Sequence, residues 1–538
     1  MSDSSILEGR APAGDRLARE VARRRTFAII SHPDAGKTTL TEKLLLYGGA
    51  IELAGAVRGR KTQRHATSDW MELEQQRGIS ITAAALEFEV DGHHLTLLDT
   101  PGHQDFSEDT YRALLAVDSV IMVIDAAKGI EAQTRKLFDV CRAQGIPVLT
   151  FINKCDQPSR DPLALVDEIE KALGLAGAPM NWPLGDGQDF KGVYDLRSGA
   201  LLLYERSTAG RRTAPIAVTA PDDARVSELV GDRRQRDLID AIALIGAAGT
   251  AFDLDAYREG RQTPVFFGSA LHDFGVEPFL QALLSLAPAP GPRQTEAGVI
   301  EPTDEAFSGF VFKVQANMNP RHRDRVAFLR VCSGRLTRDL LVQHERLGTS
   351  LRLSRVYRFF GRDRETVPEA FAGDVVGLVS PSQLAIGDTL YVGRPVCFPP
   401  IPNFPPERFA TIKPADSRHK RFRDAVRHLG EEGLLQVFTR ADGSPYPIVG
   451  VVGALQFDVI AARMAGEYGI PCQVEPLAYV AARWLVSSRS PMPPLQLPYS
   501  GALAVTDRLG RDVLLFATAY GLQDCIDDNP DVQFLASR

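Results

Sequence analysis

Residues 28–45, AIISHPDAGKTTLTEKLL, run from an apolar segment (Ala28-Ile29-Ile30) through a short polar loop into Gly36-Lys37-Thr38 and a helix-like pattern. The stretch departs from the phosphate-loop pattern G-x-x-x-x-G-K-[ST] at one place, with Ser31 where the first glycine belongs. A strand entering a loop whose far end opens a helix holds phosphate by backbone, because the free N–H groups and positive dipole end of the helix point at the loop. In this reading Ser31, His32, Pro33, Asp34, Ala35 and Gly36 form the cradle. Lys37 reaches the outer phosphates and the Thr38 hydroxyl ligates Mg²⁺. The first loop position then needs only a small residue whose backbone angles suit a non-glycine. The alternative is a Gly-Lys-Thr that merely caps a helix, and the stretch alone does not separate the two.

Three later stretches separate them. In LTLLDTPGHQDF a hydrophobic strand ends at Asp99, 62 residues after Lys37, where a carboxylate can hold Mg²⁺ through water. Thr100, Pro101 and Gly102 follow, and Gly102 has no side chain to keep its N–H from a γ-phosphate. In VLTFINKCD the residues Asn153, Lys154, Cys155 and Asp156 stand at another strand's C-terminal end, the edge where open α/β sheets bind ligands. The Asp156 carboxylate can accept from guanine N1–H and the 2-amino group, a donor pair adenine lacks. In PVFFGSAL a further strand ends in Ser269-Ala270-Leu271, where backbone N–H groups can meet the guanine oxygen. Each stretch alone is ordinary loop chemistry. In this order, each after a strand, they describe a guanine-nucleotide site.

The rest of the chain is consistent with such a site. At 538 residues it is too long for one hydrophobic core. It has 44% hydrophobic and 24% charged residues, as an ordinary soluble protein does, and no apolar run long enough to span a membrane. The first 21 residues lack the apolar core of a signal peptide and read as a mobile tail. Six cysteines (141, 155, 332, 397, 472, 525) form no C-x-x-C pair and read as reduced thiols of a cytoplasmic protein. A net charge of −7 argues against general nucleic-acid binding but leaves room for local basic clusters. Two such clusters, Arg321-His322-Arg323 with Arg325 and Arg418-His419-Lys420-Arg421 with Arg423, are candidates for nucleic-acid phosphate; a solvated charged face is the commoner explanation for either alone.

Three styles of sequence follow one another. Over 22–290 the runs Thr26–Ile30, Leu95–Leu98, Val120–Ile124, Val148–Ile152 and Val265–Phe267 lack polar alternation, as parallel strands covered on both faces do. With helical patterns between them they predict an α/β, doubly wound P-loop domain. Beyond a Pro-rich joint at 287–292, residues 305–397 carry strand-like stretches between Gly and Asp turns and predict an antiparallel β-barrel. After a second joint at 398–402, residues 403–538 predict a C-terminal α+β domain of split-βαβ type, with the last ~60 residues less periodic.

The four motifs together resemble the GTPase domain of translation factors, over roughly residues 22–290. The resemblance implies GTP and GDP as ligands with Mg²⁺, and a catalytic role for His103, which follows Asp-Thr-Pro-Gly and would orient the attacking water. It also implies that SDWMELEQQRGISIT (68–82) is the first switch, with Ser80 as the Mg²⁺ ligand and Thr82 as its rival. SHPDAGKTT, SDWMELEQQRGISIT, HRDRVAFLRV and VGALQFDV narrow the resemblance to the bacterial peptide chain release factor 3 family and extend it over nearly the whole chain. That family implies a monomeric, ribosome-stimulated GTPase that recycles stop-codon-reading release factors. Another ribosomal GTPase, of the elongation or translocation type, is the alternative. A metabolic transferase would need an acceptor pocket, for which no constellation is found. A scaffold without catalysis is disfavoured by Lys37, Asp99 and His103.

Overall fold

A computed structural model describes residues 13–49, 80–204, 216–217, 220–248, 251–316, 325–360, 363–379, 384–415, 419–487, 492–498 and 501–537. Helix α1 (Ala13–Ala22) opens the described chain, so residues 13–21 of the expected mobile tail are helical, while 1–12 lie outside the described residues. Leu17 and Val21, one helical turn apart, bury against Phe371 and Ala372 of the second domain. The Ser, Gly, Pro and charge around this apolar pair hid it from a compositional reading.

The first domain contains β1 (Arg24–Ser31), α2 (Lys37–Tyr47), β2 (Ala84–Val90), β3 (His93–Asp99), α3 (Ser107–Leu115), β4 (Ser119–Asp125), α4 (Ala132–Ala143), β5 (Val148–Asn153), α5 (Pro162–Leu173), β6 (Gln262–Phe267) and α6 (Val276–Leu286). The sheet runs β2-β3-β1-β4-β5-β6, with Ala176–Pro179 beyond β6. Along β1, Ala28 and Ile30 join the core with α3, α4 and α5, while Phe27 and Ile29 join the core with α2 and α6. Helices therefore cover both faces, which is why the strand sequences carry no polar alternation. One strand departs from the parallel rule. β2 pairs antiparallel with β3 across an Asp91-Gly92 turn in which both residues have positive φ. Asn181–Pro183, Gly192–Asp195, Ala200–Leu203 and Ile216–Ala217 add a small antiparallel sheet of four strands that the motif reading did not foresee.

The second domain is a curled antiparallel sheet that includes β7 (Ser308–Ala316), β8 (Arg325–Ser333), β9 (Val356–Phe360) and β10 (Val375–Val379). β9 also pairs with β2 at Phe360↔Leu86, so the two domains share a sheet edge. Buried polar contacts reinforce this joint. Arg24 donates to Asp374 at 2.8 Å, Thr26 Oγ1 to the Gly373 carbonyl at 2.6 Å, and Arg330 to Asp118 at 2.5 Å.

The third domain folds as β11 (Arg408–Pro414), α7 (His419–Glu431), β12 (Gln436–Arg440), β13 (Ile448–Val451), α8 (Leu455–Gly466) and β14 (Cys472–Leu477). The order β14-β11-β13-β12, all antiparallel, is the split-βαβ arrangement. The closing segment is regular after all: Ala481–Ser487, Ala502–Asp507, Asp512–Phe516 and Val532–Leu535 extend the same sheet beyond β12. Of the basic clusters, residues 321–323 and Arg418 lie outside the described residues. Arg325 forms an internal ion pair with Glu431 at 2.8 Å, joining the second and third domains, so it is not a free phosphate contact.

Candidate nucleotide site

Above the C-terminal ends of β1, β3 and β5 lies a cavity of about 440 Å³ lined by residues 31–34, 36–39, 42–43, 80, 102–103, 153–154, 156–157 and 271. The loop that makes its floor is shaped by local backbone rules. Ser31 closes β1 in strand geometry, paired with Val123, so a non-glycine costs no strain there. Gly36 has φ +94°, and a Cβ on it would stand 2.3 Å from Asn153 Nδ2, so this second glycine is demanded by conformation and by space. α2 then begins at Lys37 with no side-chain cap, leaving its first N–H groups turned toward the cavity floor.

Asn153 is the keystone of one wall. Its Nδ2 donates to the Ala35 carbonyl at 2.9 Å, and its Oδ1 accepts from the Ala270 N–H at 2.9 Å. The side chain expected to read guanine also ties the phosphate loop to the 269–271 loop while lining the cavity. Lys154, at φ +70°, puts Nζ 2.9 Å from Asp125 Oδ2. Burial alone would raise the Asp125 carboxyl, but the Lys154 ammonium and the Ala127 N–H hold it below its ordinary value. Asp156 is nearly enclosed. His272 Nε2 stands 3.5 Å from its Oδ2, while its buried Oδ1 has no partner. Cys155 does not reach the cavity. Its side chain faces the core, burial pushes the thiol up to about 12, and only its backbone holds the loop. Ser269 and Ala270 are also fully buried behind the wall, and of that triplet only Leu271 lines the cavity.

On the phosphate side, Lys37 forms an ion pair with Asp99 Oδ1, and the buried Asp99 Oδ2 has no partner. Thr38 lines the cavity; Thr100 does not, donating instead to the Ile29 carbonyl at 2.6 Å. A Cβ on Gly102 would meet Pro33 at 3.8 Å, an ordinary contact, so no neighbour within the protein excludes a side chain there. His103, about one-third exposed, lines the cavity, and its Nδ1 accepts from the Asp105 N–H at 3.2 Å. A neutral imidazole with Nδ1 so engaged carries its proton on Nε2. Ser80 lines the cavity and Thr82 does not. The rest of the expected first switch, Arg77-Gly78-Ile79 included, lies outside the described residues.

Sequence reasoning missed Thr39, Glu42, Lys43 and Gln157 on the lining. The first three follow the phosphate loop on the opening turns of α2, so helical spacing was the available signal. Lys43 pairs with Asp273 at 2.8 Å, which ties α2 to the loop after β6.

Comparison with known proteins assigns all three domains. Residues 22–289 match the Elongation factor Tu GTP binding domain, residues 306–393 the Elongation factor G domain 2, and residues 398–525 the Class II release factor RF3 C-terminal domain. Peptide chain release factor 3 of Gloeobacter violaceus is 53% identical over 520 residues, covering 96% of this chain and 98% of that one. The chain belongs to the peptide chain release factor 3 family. The Symbiobacterium thermophilum member is 51% identical over 525 residues, covering 97% and 99% of the two chains. A crystal structure of ttk003000868 from Thermus thermophilus superposes with a TM-score of 0.68 at 25% identity, over 92% of this chain and 72% of that one. The protein is thus a translational GTPase of termination, and the release-factor type of its third domain disfavours the elongation-type alternative. No helix among the described residues is long and apolar enough to cross a membrane.

Proposed function

We propose that this family member binds GTP and GDP in the 440 Å³ cavity and hydrolyses GTP on the ribosome. Hydrolysis drives the stop-codon-reading release factors off after the peptide is freed. The protein acts as a monomer in the cytoplasm. The observation that carries the site assignment is a pair of orphaned carboxylate oxygens, Asp156 Oδ1 and Asp99 Oδ2, both buried and both without partners. A buried carboxylate oxygen without a partner is costly unless a ligand completes it. Asp156 is suited to accept from the guanine N1–H and 2-amino groups. Asp99, with the Thr38 and Ser80 hydroxyls, supplies the hard oxygen donors that Mg²⁺ prefers.

The donor set fits Mg²⁺ only in company with the nucleotide. Among the described residues no three His, Cys, Asp or Glu side chains cluster as a metal site, so the ion would be held largely by phosphate oxygens. When bound it would neutralise phosphate charge. The chain's own groups do the rest. The loop 31–38 holds the phosphates by backbone N–H, and Lys37 exchanges Asp99 for an outer phosphate. Gly102 leaves room for that phosphate. His103 orients a water by hydrogen bonding through Nε2 rather than by taking its proton, since Nδ1 is already an acceptor. Positioning suffices because the phosphoryl-transfer transition state is loose.

The test is GTP hydrolysis with and without ribosomes, followed by release-factor dissociation from termination complexes. Stimulated hydrolysis coupled to dissociation is expected. Hydrolysis with no effect on bound release factor would overturn the recycling role while leaving the GTPase intact.

A further inference from the structure

The loop that carries His103 does not end within the first domain. Two residues on, Asp105 is nearly buried, and its carboxylate Oδ2 accepts the Leu455 N–H at 2.7 Å. Leu455 is the first residue of α8 in the third domain. The residue at the helix's own N-cap position is Ala454, which has no side-chain acceptor. Helix N-termini need such an acceptor for their free N–H groups, and a negative charge there is favoured by the helix dipole. Gln456 fills part of the need from inside the turn, its Oε1 accepting from Val452 and Gly453 N–H at 2.8 and 3.0 Å. The remaining cap comes from another domain, 350 residues away in sequence.

The turn before α8 is shaped to admit that carboxylate. A Cβ on Gly453 would stand 2.0 Å from Asp105 Cγ and within 2.4 Å of both its oxygens. Gly453 has no positive φ, so space for Asp105, not backbone conformation, requires glycine there. Beside the cap, Phe106 packs with Ile81 and with Val459 of α8 in a small buried cluster, flanked by Leu434 and Leu455. Ile81 follows Ser80, and Phe106 follows Asp105. The two segments that bring Ser80 and His103 to the nucleotide cavity thus both rest on α8.

We infer that Asp105 is a positioning residue for hydrolysis: its carboxylate caps α8 across the domain boundary while its N–H holds the His103 ring, so seating of the third domain sets the orientation of His103. The inference rests on the proposed role of His103. Rigid seating matters because misplacing a water-orienting group by about 1 Å costs on the order of 100-fold in rate. The contact leaves Asp156, Asn153 and the phosphate loop untouched, so the effect belongs in turnover and not in nucleotide affinity.

The experiment uses the full chain and measures ribosome-stimulated GTP turnover, GDP affinity and thermal unfolding. Asp105→Ala and Gly453→Ala should each lower kcat by roughly 10- to 100-fold with GDP affinity within about twofold. Asp105→Asn keeps a carbonyl oxygen able to accept from Leu455 and should recover most of the rate. In the His103→Ala background, adding Asp105→Ala should change the residual rate little, because the two act through one ring. If His103→Ala is impaired but Asp105→Ala and Gly453→Ala turn over at the wild-type rate, the positioning role is overturned and that of His103 stands. If His103→Ala itself hydrolyses normally on ribosomes, the underlying assignment fails. Should Asp105→Ala unfold early, Gly453→Ala and the Asp105→Asn rescue decide the matter, and equal losses in Asn and Ala variants would also overturn it.

Discussion

Around Asp156 the cavity wall is tied by bonds made within the first domain. Asn153 bridges Ala35 and Ala270, Lys154 meets Asp125, and His272 stands over Asp156. Around His103 the supports come from elsewhere. Asp105 reaches α8 of the third domain, and Phe106 and Ile81 pack on Val459. Lys313 of the second domain donates to Asp109, whose carboxylate also accepts the Ala83 N–H at 2.6 Å. The proposed base reader is built within one domain, so its supports do not depend on the other two. The proposed catalytic wall, whose supports sit on the two other domains, can respond to how those domains are seated. This division suits the proposed ribosome-stimulated hydrolysis, in which nucleotide binding and turnover are supported separately.

The sharpest way to break the contrast is at Asp156. Asp156→Asn should lower the preference for GTP over xanthosine triphosphate on the order of 10⁴-fold, because the new amide donor meets the xanthine 2-oxo group and rejects the guanine amino group. Competition binding with the two nucleotides reads it, and an unchanged preference would mean that the buried Asp156 Oδ1 is not the base contact. His103→Ala probes the other wall. Its ribosome-stimulated hydrolysis should fall by at least about 100-fold while GTP and GDP affinities stay at wild type, as expected for losing a positioned group. A parallel loss of affinity would show that this wall also carries binding.

Asn153→Ala tests whether the base side is as self-contained as its bonds suggest. It strands the Ala35 carbonyl and the Ala270 N–H, a cost of about 2 kcal/mol or more. Nucleotide affinity should drop roughly 30-fold or more, with the seating of the third domain unaltered. Isothermal titration and limited proteolysis of the 403–538 segment separate those two outcomes. The smallest effect is expected at His272→Ala. The ring is one-third exposed at 3.5 Å from Asp156, a distance at which a partly solvated contact is worth about 1 kcal/mol at most. GDP affinity should therefore change by less than about fivefold, and a larger change would mean that His272, not Asn153, fixes the reader.

Much of this was written locally in the chain. The Gly36-Lys37-Thr38 loop, Asp99 at the end of β3 and Asp156 after β5 depend on strand ends and helix starts, which turn chemistry and apolar runs specify over a few residues. Even the unusual Ser31 was legible, since its position in strand geometry needs no glycine. The split-βαβ order of the third domain followed from the alternation of its strands and helices. Residues whose work depends on partners hundreds of positions away were not legible. Cys155 looked like part of a base reader but its side chain turns into the core, and the bridge that Asn153 makes between two loops, while lining the cavity, was not foreseen. Arg325 looked like a phosphate contact but found Glu431, and α1 became ordered on Phe371 and Ala372. Asp105 carries no signal in its own neighbourhood for capping Leu455. Sequence by itself pointed to the chemistry proposed for the nucleotide site because phosphate and guanine are recognised by short segments with fixed backbone geometry. Only the tertiary structure decided what supports His103, because a helix cap contributed across 350 residues exists only once the domains have packed.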